Sequence, residues 1–597
     1  MEHDQVSPTA SRFMHLPGMA EGTEAAVIDR QEMGEGKSLS GPAAIVEDQT
    51  CTIVPDGFTA RQVADGALLV ERSGDDAFAS RAVNDTAVRD QVIWDRLITI
   101  VEEQAQALIR TAFSTTVREA GDLSAGVFDL SGRMLAQAVT GTPGHVNAMA
   151  ASVGSFIEAI PVQTMSDGDV YVTNDPWLGT GHLFDFTVVT PVFHRGKPVG
   201  FFASTVHVVD IGGPGFSPDS GQVFEEGLCI PILPLFQAGE ANDSVFEIIK
   251  ANVREPVQVV GDLYSLTTSN AVGARRLIEV MDEFGMAEIE TIGTRICDAS
   301  KKAMLDEIAN WPAGVYENHM RVDGYDAPLD LQARLIISAD GIDVDFGGTS
   351  GMSAFGINVP LTYTQAYASF GVRVLVGPDI PNNAGSLAPI RVTAPSGCIL
   401  NAPRPAAVAV RHVTGQMLPD VVLGCLDKAR PGAAPAEGSS SLWNPMLSGG
   451  HGVAGNEDYG DATPFTVTIF HSGGTGARPN GRGLSATAFP SGVKNTPVEI
   501  TESVAPVIFR QKEFRTGSGG AGKYPGGDGQ IIAIDHAENA PFAVFALFDR
   551  VKHAARGRQG GGDGDAGRVY LSSGRELAAK GKQVVPAGET LVMELPG

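Results

Sequence analysis

The sequence predicts an α+β fold: a β-rich, multidomain chain with mixed sheets, a helical middle section and a glycine-rich β C-terminal part. Three observations predict it. The 597 residues include 72 glycines and 36 prolines but only 7% aromatics, a composition that supplies many tight turns. Helical periodicity is concentrated at 89–113 and across 224–310. Elsewhere, short β-branched runs alternate with Asp-Gly and Asn-Asp-Pro turn signals.

In chain order, residues 1–37 are polar and lack periodicity, which predicts partial disorder. Residues 40–72 read as a small β unit of four strands, AAIVE, CTIVP, FTARQV and ALLVE, with turns at Asp56-Gly57 and Asp65-Gly66. Residues 73–86 read as a linker. In 89–113, Ile93, Leu97, Ile100, Val101, Ala105 and Leu108 recur at three- and four-residue steps and predict a core-packing helix. VREAGDLSAGVFDLSGRMLAQA predicts two strands about an Asp129–Gly132 turn, with Asp122 just before the first. GHVNAMAASVGSFIEAI predicts a helix that starts at Gly144-His145. Helix N-termini offer free N–H groups to anions, so His145 either faces a substrate or sits in a plain capping environment. Residues 224–310 are mostly helical, strands return from about 315, and LTYTQAYASFGVRVLV and HVTGQMLPDVVLGCLDKA are helical again.

Composition narrows the function classes. A hydrophobic content of 43% supports substantial cores. No run of 18 apolar residues exists, which predicts no transmembrane helix, and MEHDQVSPTASRF lacks the basic start and apolar middle of a signal peptide. Five widely spaced cysteines (Cys51, Cys229, Cys297, Cys398, Cys425) without a C-x-x-C pair argue against a disulfide framework and a cysteine zinc site. The expected compartment is the reducing cytoplasm. A net charge of −27 repels phosphate backbones and makes nucleic acid a poor partner, and its bland reading is solubility.

The chemistry concentrates in DVYVTNDPWLGTGHLFDFTVVTPVFHRGKPVGFFASTVHVVDIGG, residues 169–213. VYVTN reads as a strand ending at Asn174-Asp175-Pro176. TGHLFDFTVVTPVF enters a second strand, HRGKP is a hairpin turn, and VGFFASTVHVV is a third strand. A hairpin returns His207 to the start of the second strand, where His182 and Asp185 lie. Two imidazoles and a carboxylate on neighbouring strands can hold one divalent transition metal, with Mn, Zn and Fe favoured. Asp175 and Asp210 flank the set. The bland reading of the same residues is ordinary strand and loop polarity.

Two features compete for a functional reading. Glycine-rich stretches at 473–483, 517–529 and 556–567 either line a site or form long turns. GSGGAGKY, residues 517–524, nearly matches a phosphate-binding P-loop. Tyr524 stands where the motif needs Ser or Thr to hold Mg²⁺, and Pro525 blocks the helix that should follow.

TAFSTTVREAGDLSAGVFDLSGRMLAQA, GDVYVTNDPWLGTGHLFDFTVVTPVF, EGLCIPILPLF with ANVREPVQVVGDL, and NTPVEITESVAPVIFRQKEFRTGSGGAGKYPGGDGQ together resemble the hydantoinase B/oxoprolinase family over about 86–597. That family includes large subunits of ATP-dependent hydantoinases and lactamases, and acetone and acetophenone carboxylases. The resemblance implies a metal at His182, Asp185 and His207, with Asp122 near the metal centre in the lactamase branch. It implies a hydantoinase A-like partner that uses ATP and Mg to phosphorylate a small-molecule substrate, with further small subunits in some carboxylases. One segment departs from the family: GPAAIVEDQTCTIVPDGF resembles the C-terminal tail of the hydantoinase A partner instead. The expected domains are therefore 1–85, a disordered start plus this small β segment; 86–325, the metal-site domain; 326–440, an α/β middle domain; and 441–597, a glycine-rich β domain.

The leading expectation is hydrolysis of a phosphorylated cyclic amide of hydantoin, lactam or oxoproline type. Asp122 or Asp175 would serve as general base or complete a second metal site, and His145 would face the substrate. The alternative is an ATP-dependent carboxylase subunit that converts a ketone to a β-keto acid. A third possibility is a non-catalytic scaffold for the partner; loss of a ligand would favour it, and all three ligands are present.

Overall fold

Alternating strand patterns and one long helical period resolve, in a computed structural model, into two compact units, Met1–Val92 and Ile93–Gly597. The structure describes residues 5–15, 22–72, 82–139, 141–450 and 462–597.

Before the long helix, the described residues of the first unit are strands with one 3-10 turn at Arg30–Glu32. Strands β1 (Ala10–Met14), β2 (Thr23–Asp29), β4 (Ala43–Val46) and β5 (Cys51–Val54) form one sheet in that order. Strands β3 (Ser38–Ser40), β6 (Phe58–Gln62) and β7 (Leu68–Arg72) form a second. The four strands read from 40–72 are all present. Within the stretch expected to be partly disordered, 1–37, β1 and β2 are ordered and pair in register from Ala10↔Val27 to Met14↔Thr23, while residues 1–4 and 16–21 lie outside the described residues. Polar composition hid them because β1 is an edge strand whose side chains stay largely exposed. Ile28, Met33, Leu39, Ala43, Ile45, Val54 and Ala60 make this unit's own core. Of the linker read at 73–86, residues 73–81 lie outside the described residues, and helix α1 begins at Ala82 (Ala82–Thr111).

In the second unit a seven-stranded sheet carries the candidate site. It is built from β8 (Leu123–Phe128), β9 (Met134–Gln137), β10 (Val170–Thr173), β11 (Asp185–His194), β12 (Lys197–His207), β13 (Leu233–Gln237) and β14 (Glu240–Ala241), in the order β14-β13-β10-β11-β12-β8-β9. The β13–β14 hairpin interrupts the stretch read as helical. Ala238 and Gly239, both at positive φ, form its two-residue turn, a geometry that helical periodicity does not register. The α1 positions Ile93, Leu97, Ile100, Val101, Ala105 and Leu108 are all buried, as their spacing predicts.

Helix α2 (Pro143–Ala159) packs Val146, Met149, Val153 and Phe156 with Phe128, Phe201 and Tyr171 of the sheet. Helices α3 (Asp243–Asn252), α4 (Pro256–Glu283) and α5 (Glu290–Ala309) follow. Helix α4 lies on β11 and β12, where a Cβ on Gly273 would sit 2.5 Å from the Phe202 ring. Gln104 of α1 and Ser204 of β12 both donate to Asn270 Oδ1 at 2.8 Å, tying both helices to the sheet through a buried polar junction.

The remaining strands form three four-stranded sheets. One runs Gly314–Val322, Leu329–Ser338, Gly341–Asp345 and Ile390–Thr393; the other two lie between Met446 and Glu594. The core around the seven-stranded sheet runs without a break through the 315–434 region to Phe545 and Leu547. A second cluster, around Trp443, Ile532 and Phe548, fills the C-terminal sheets.

Candidate metal centre

The β11–β12 hairpin brings the first two ligands together. Its tight turn uses Arg195 and Gly196 at positive φ, and its register pairs Asp185 directly with His207. Side chains paired across a sheet share one face, so the carboxylate and imidazole meet at the hairpin's open end. His182 sits three residues earlier, on the loop that enters β11. Gly181 (φ +99°) lets that loop pass Arg411, whose Nε would lie 2.9 Å from an added Cβ.

Asp185 is the hub. Its Oδ1 lies 2.7 Å from His182 Nε2 and 3.3 Å from His207 Nδ1, and these two nitrogens are 3.3 Å apart. Its Oδ2 accepts from Thr180 Oγ1 at 2.6 Å and from Arg411, and lies 3.0 Å from His145 Nε2. Asp122 lies beside them: its Oδ1 accepts from Thr142 at 3.0 Å and stands 3.6 Å from His145 Nδ1, and its carbonyl accepts from the His207 amide. Aromatic contacts hold the rings. Phe184 stacks on His207 at 5.4 Å, Phe216 stacks on His412 at 5.5 Å, and Phe216 meets His207 edge-on.

The donor set fits a cation. His182 Nδ1 faces the Ala409 carbonyl at 2.7 Å, an oxygen that can only accept, so the ring proton is there. Burial, helped by the Arg411 charge, pulls the His182 pKa down to about 3, so the ring is neutral and Nε2 carries a lone pair. That lone pair, an Asp185 oxygen and His207 Nδ1 then converge within 4.8 Å, fully buried. Two imidazole nitrogens and a carboxylate oxygen this close together are a donor set that a divalent transition metal can take. Burial opposes the charge on Asp185, yet His145 and Arg411 hold its carboxyl well below the usual range. Burial also opposes a charge on His145, but the carboxylates of Asp185 and Asp122 outweigh it and raise its pKa.

A cavity of about 20 Å³ opens here, lined by Asp122, His145, His182, His207, Arg411 and His412 among others. That is room for an ion or one water, not for a cyclic amide. Of the residues singled out in sequence, the structure gathers His182, Asp185, His207, Asp122 and His145. It does not bring Asp175 to them. One Asp175 oxygen accepts from the Trp177 amide and the other pairs with Arg404 at 2.5 Å, so this carboxylate secures a turn. Asp210 likewise pairs with Arg254 and caps Gly212. Sequence reading missed Arg411, His412 and Tyr363. The guanidinium of Arg411 lies 4.1 Å over the Tyr363 ring, and burial pushes that phenol up to about 12. The signal was present: an Arg-His pair inside the apolar run AAVAVRHV must be buried, and a buried arginine demands a partner.

No helix among the described residues is long and apolar enough to cross a membrane. The five cysteines are all free.

The chain is 28% identical over 503 residues to a putative D-/L-hydantoinase subunit of Pseudomonas sp., covering 81% of this chain and 83% of that one. It is 28% identical over 587 residues to a 5-oxoprolinase of Dictyostelium discoideum, covering 94% of this chain but only 44% of that protein, so it spans less than half of that relative's length. Among solved structures, the ATP-dependent caprolactamase from Pseudomonas jessenii superposes with a TM-score of 0.76 over 86% of this chain and 90% of that one. At 23% identity that likeness establishes the fold. The Hydantoinase B/oxoprolinase family profile matches residues 86–597, and the chain belongs to that family.

Proposed function

We propose that this chain is the metal-holding catalytic subunit of an ATP-dependent heteromeric enzyme that hydrolyses a phosphorylated cyclic amide of hydantoin, lactam or oxoproline type. The observation that carries this reading is the convergence of His182 Nε2, His207 Nδ1 and Asp185 Oδ1 in a buried polar cavity. His182, Asp185 and His207, with Asp122 adjoining, would hold a divalent ion (Mn, Zn or Fe), which would supply Lewis-acid polarisation and a water of lowered pKa.

The chain's own residues do the rest. His145, its pKa raised between two carboxylates, keeps a proton at Nδ1 and is placed to deliver it to a departing group. Asp122, 3.6 Å from that nitrogen, favours the charged imidazolium. Arg411 fixes Asp185 and adds a permanent positive charge to the wall. Phe216, Leu442 and Val493 supply the apolar part of an otherwise polar lining. Because the cavity is smaller than a substrate ring, its lining must rearrange for one to enter.

Nucleotide use is assigned to a hydantoinase A-like partner that takes ATP and Mg, since the nearest P-loop here lacks its hydroxyl. The Pseudomonas relative, named as one subunit of a hydantoinase, supports such pairing. The free cysteines support a cytoplasmic setting. The names of the two relatives, a 5-oxoprolinase and a hydantoinase, favour amide hydrolysis over ketone carboxylation. Co-purification with the partner and an ATP-consumption screen over lactams, hydantoins and ketones, with and without bicarbonate, tests the reading. Bicarbonate-independent ATP use with a cyclic amide supports it. ATP use that needs a ketone and bicarbonate overturns it in favour of carboxylation.

A further inference from the structure

The glycine-rich stretches at 473–483, 517–529 and 556–567 meet around one cavity of about 300 Å³. It shares no lining residue with the cavity at His182 and His207. Much of the glycine content is a packing requirement. A Cβ would stand 1.9 Å from the Ala436 carbonyl oxygen at Gly476, 2.3 Å from that of Gly526 at Gly519, and 2.2 Å from that of Gly562 at Gly520. The loops therefore lie backbone against backbone in a fixed frame, and the cavity is the space that frame encloses.

The lining is basic in a chain of net charge −27. Arg478, Lys523, Arg556 and Arg558 all border the cavity. Arg556 is committed to Glu437. The other three have no carboxylate within ion-pair distance among the described residues: Arg478 Nε donates to the Arg482 carbonyl, Lys523 Nζ stands 5.2 Å over the Tyr524 ring, and Arg558 donates to the Asp420 carbonyl. The acids nearby are engaged elsewhere. Asp563 accepts from the Gly557 amide, Asp427 from Gln559 and the Gly432 amide, and Asp420 from Ser440 and the Gly438 amide. On the same wall, the amides of residues 520–524 find no acceptor among the described residues. Consecutive free N–H groups beside cations are an anion-binding arrangement.

We propose that this cavity is a phosphate-binding site, in which Lys523, Arg478, Arg558 and the 520–524 amides hold a phosphate group, free or carried on a small molecule. Three cations with a run of amides offer more donors than the four lone-pair sites of a carboxylate can use, and they suit a dianionic phosphate. With Tyr524 in place of the Mg²⁺-holding hydroxyl, the site binds without hydrolysing.

Calorimetry on the full chain, in phosphate-free and Mg-free buffer, tests this with inorganic phosphate and with ADP as separate probes. Saturable phosphate binding should weaken at least about tenfold in Lys523→Gln and in Arg558→Gln, and stay unchanged in Arg575→Gln and in Asp185→Ala. Lys523 is exposed, so its variant keeps the fold even if Arg558→Gln does not. ADP binding tighter than phosphate assigns the site to a phosphorylated organic ligand; equal or weaker ADP binding assigns it to free phosphate. No binding up to about 10 mM, equal affinity in all variants, or loss in Asp185→Ala alone overturns the proposal. None of these outcomes depends on the reaction proposed for the metal centre.

Discussion

Glu226 orients His182 without touching it. Its Oε1 accepts from the amides of Val408 and Ala409, at 2.7 Å for the latter, and the Ala409 carbonyl accepts from His182 Nδ1 at 2.7 Å. A buried carboxylic group thus anchors the backbone at Val408 and Ala409, one peptide before the carbonyl that sets the imidazole's tautomer. Groups in this supporting position commonly carry about 10- to 100-fold in metal affinity. Glu226→Ala should lower metal affinity by roughly that factor, whereas Glu226→Gln, which keeps the acceptor, should hold it near wild type. Equal affinity in wild type and Glu226→Ala, by competition with a chelating dye, would remove Glu226 from the site.

The same group predicts a pH dependence. Burial pushes the Glu226 pKa up to about 8, from an ordinary value of 4.5. The folded protein therefore keeps a proton that the unfolded chain has already released. Stability from this group is full below about 4.5 and is lost as pH rises towards 8, by at most about 5 kcal/mol. Glu226→Gln cannot titrate, so its melting temperature should fall less than wild type's between pH 5 and pH 8. Parallel curves would show that Glu226 is already ionised in the folded state.

Elemental analysis of purified chain should find about one divalent transition metal per molecule. His182→Ala or Asp185→Ala should empty the site while circular dichroism stays largely native. Full occupancy in both variants would mean that other residues hold the ion.

Arg411 and Asp185 form a buried ion pair, and removing one partner of such a pair typically costs about 3–5 kcal/mol. Arg411→Met should show that loss in metal-free protein. A bound cation offers Asp185 a substitute partner, so metal should recover more melting temperature in the variant than in wild type. An equal metal-induced shift in both would uncouple Arg411 from the ion.

The grouping of His182, Asp185 and His207 was legible because a hairpin's return is a local rule, although counting from the Arg195-Gly196 turn alone places Val206 opposite Asp185; a one-residue register shift between Val192 and Phe193 brings His207 there instead. The periodicity of α1 was legible for the same reason. Arg411, His412 and Glu226 were not found, because they reach the site through tertiary packing from segments about 40 to 230 residues away. Asp175 caps a turn and pairs with Arg404, and the sequence could not separate that role from a catalytic one because both call for the same residue type. The β13–β14 hairpin escaped because its two short strands sit inside a stretch dominated by helical signal.

The first unit supplies the remaining prediction. The family profile begins at residue 86, yet the alignment with the D. discoideum 5-oxoprolinase takes in a larger share of this chain than 86–597 makes up. Part of the leading segment therefore has a counterpart in a relative more than twice this chain's matched length. The unit's core is small. Val54 and Ala44 are buried, whereas Val46, Ile53, Leu69 and Val70 stay 37–38% exposed. A small β unit without disulfide or metal gains little stability from so few buried side chains, and exposed apolar strand residues are candidates for burial by another chain. We expect that surface to dock on the ATP-using partner. Deleting residues 1–75 should weaken co-purification with the partner by at least about tenfold while metal content stays at wild-type level. Val46→Glu with Leu69→Glu should do the same with the unit still present, which separates loss of the surface from loss of the fold. A deletion variant that assembles and turns over normally would make this segment dispensable.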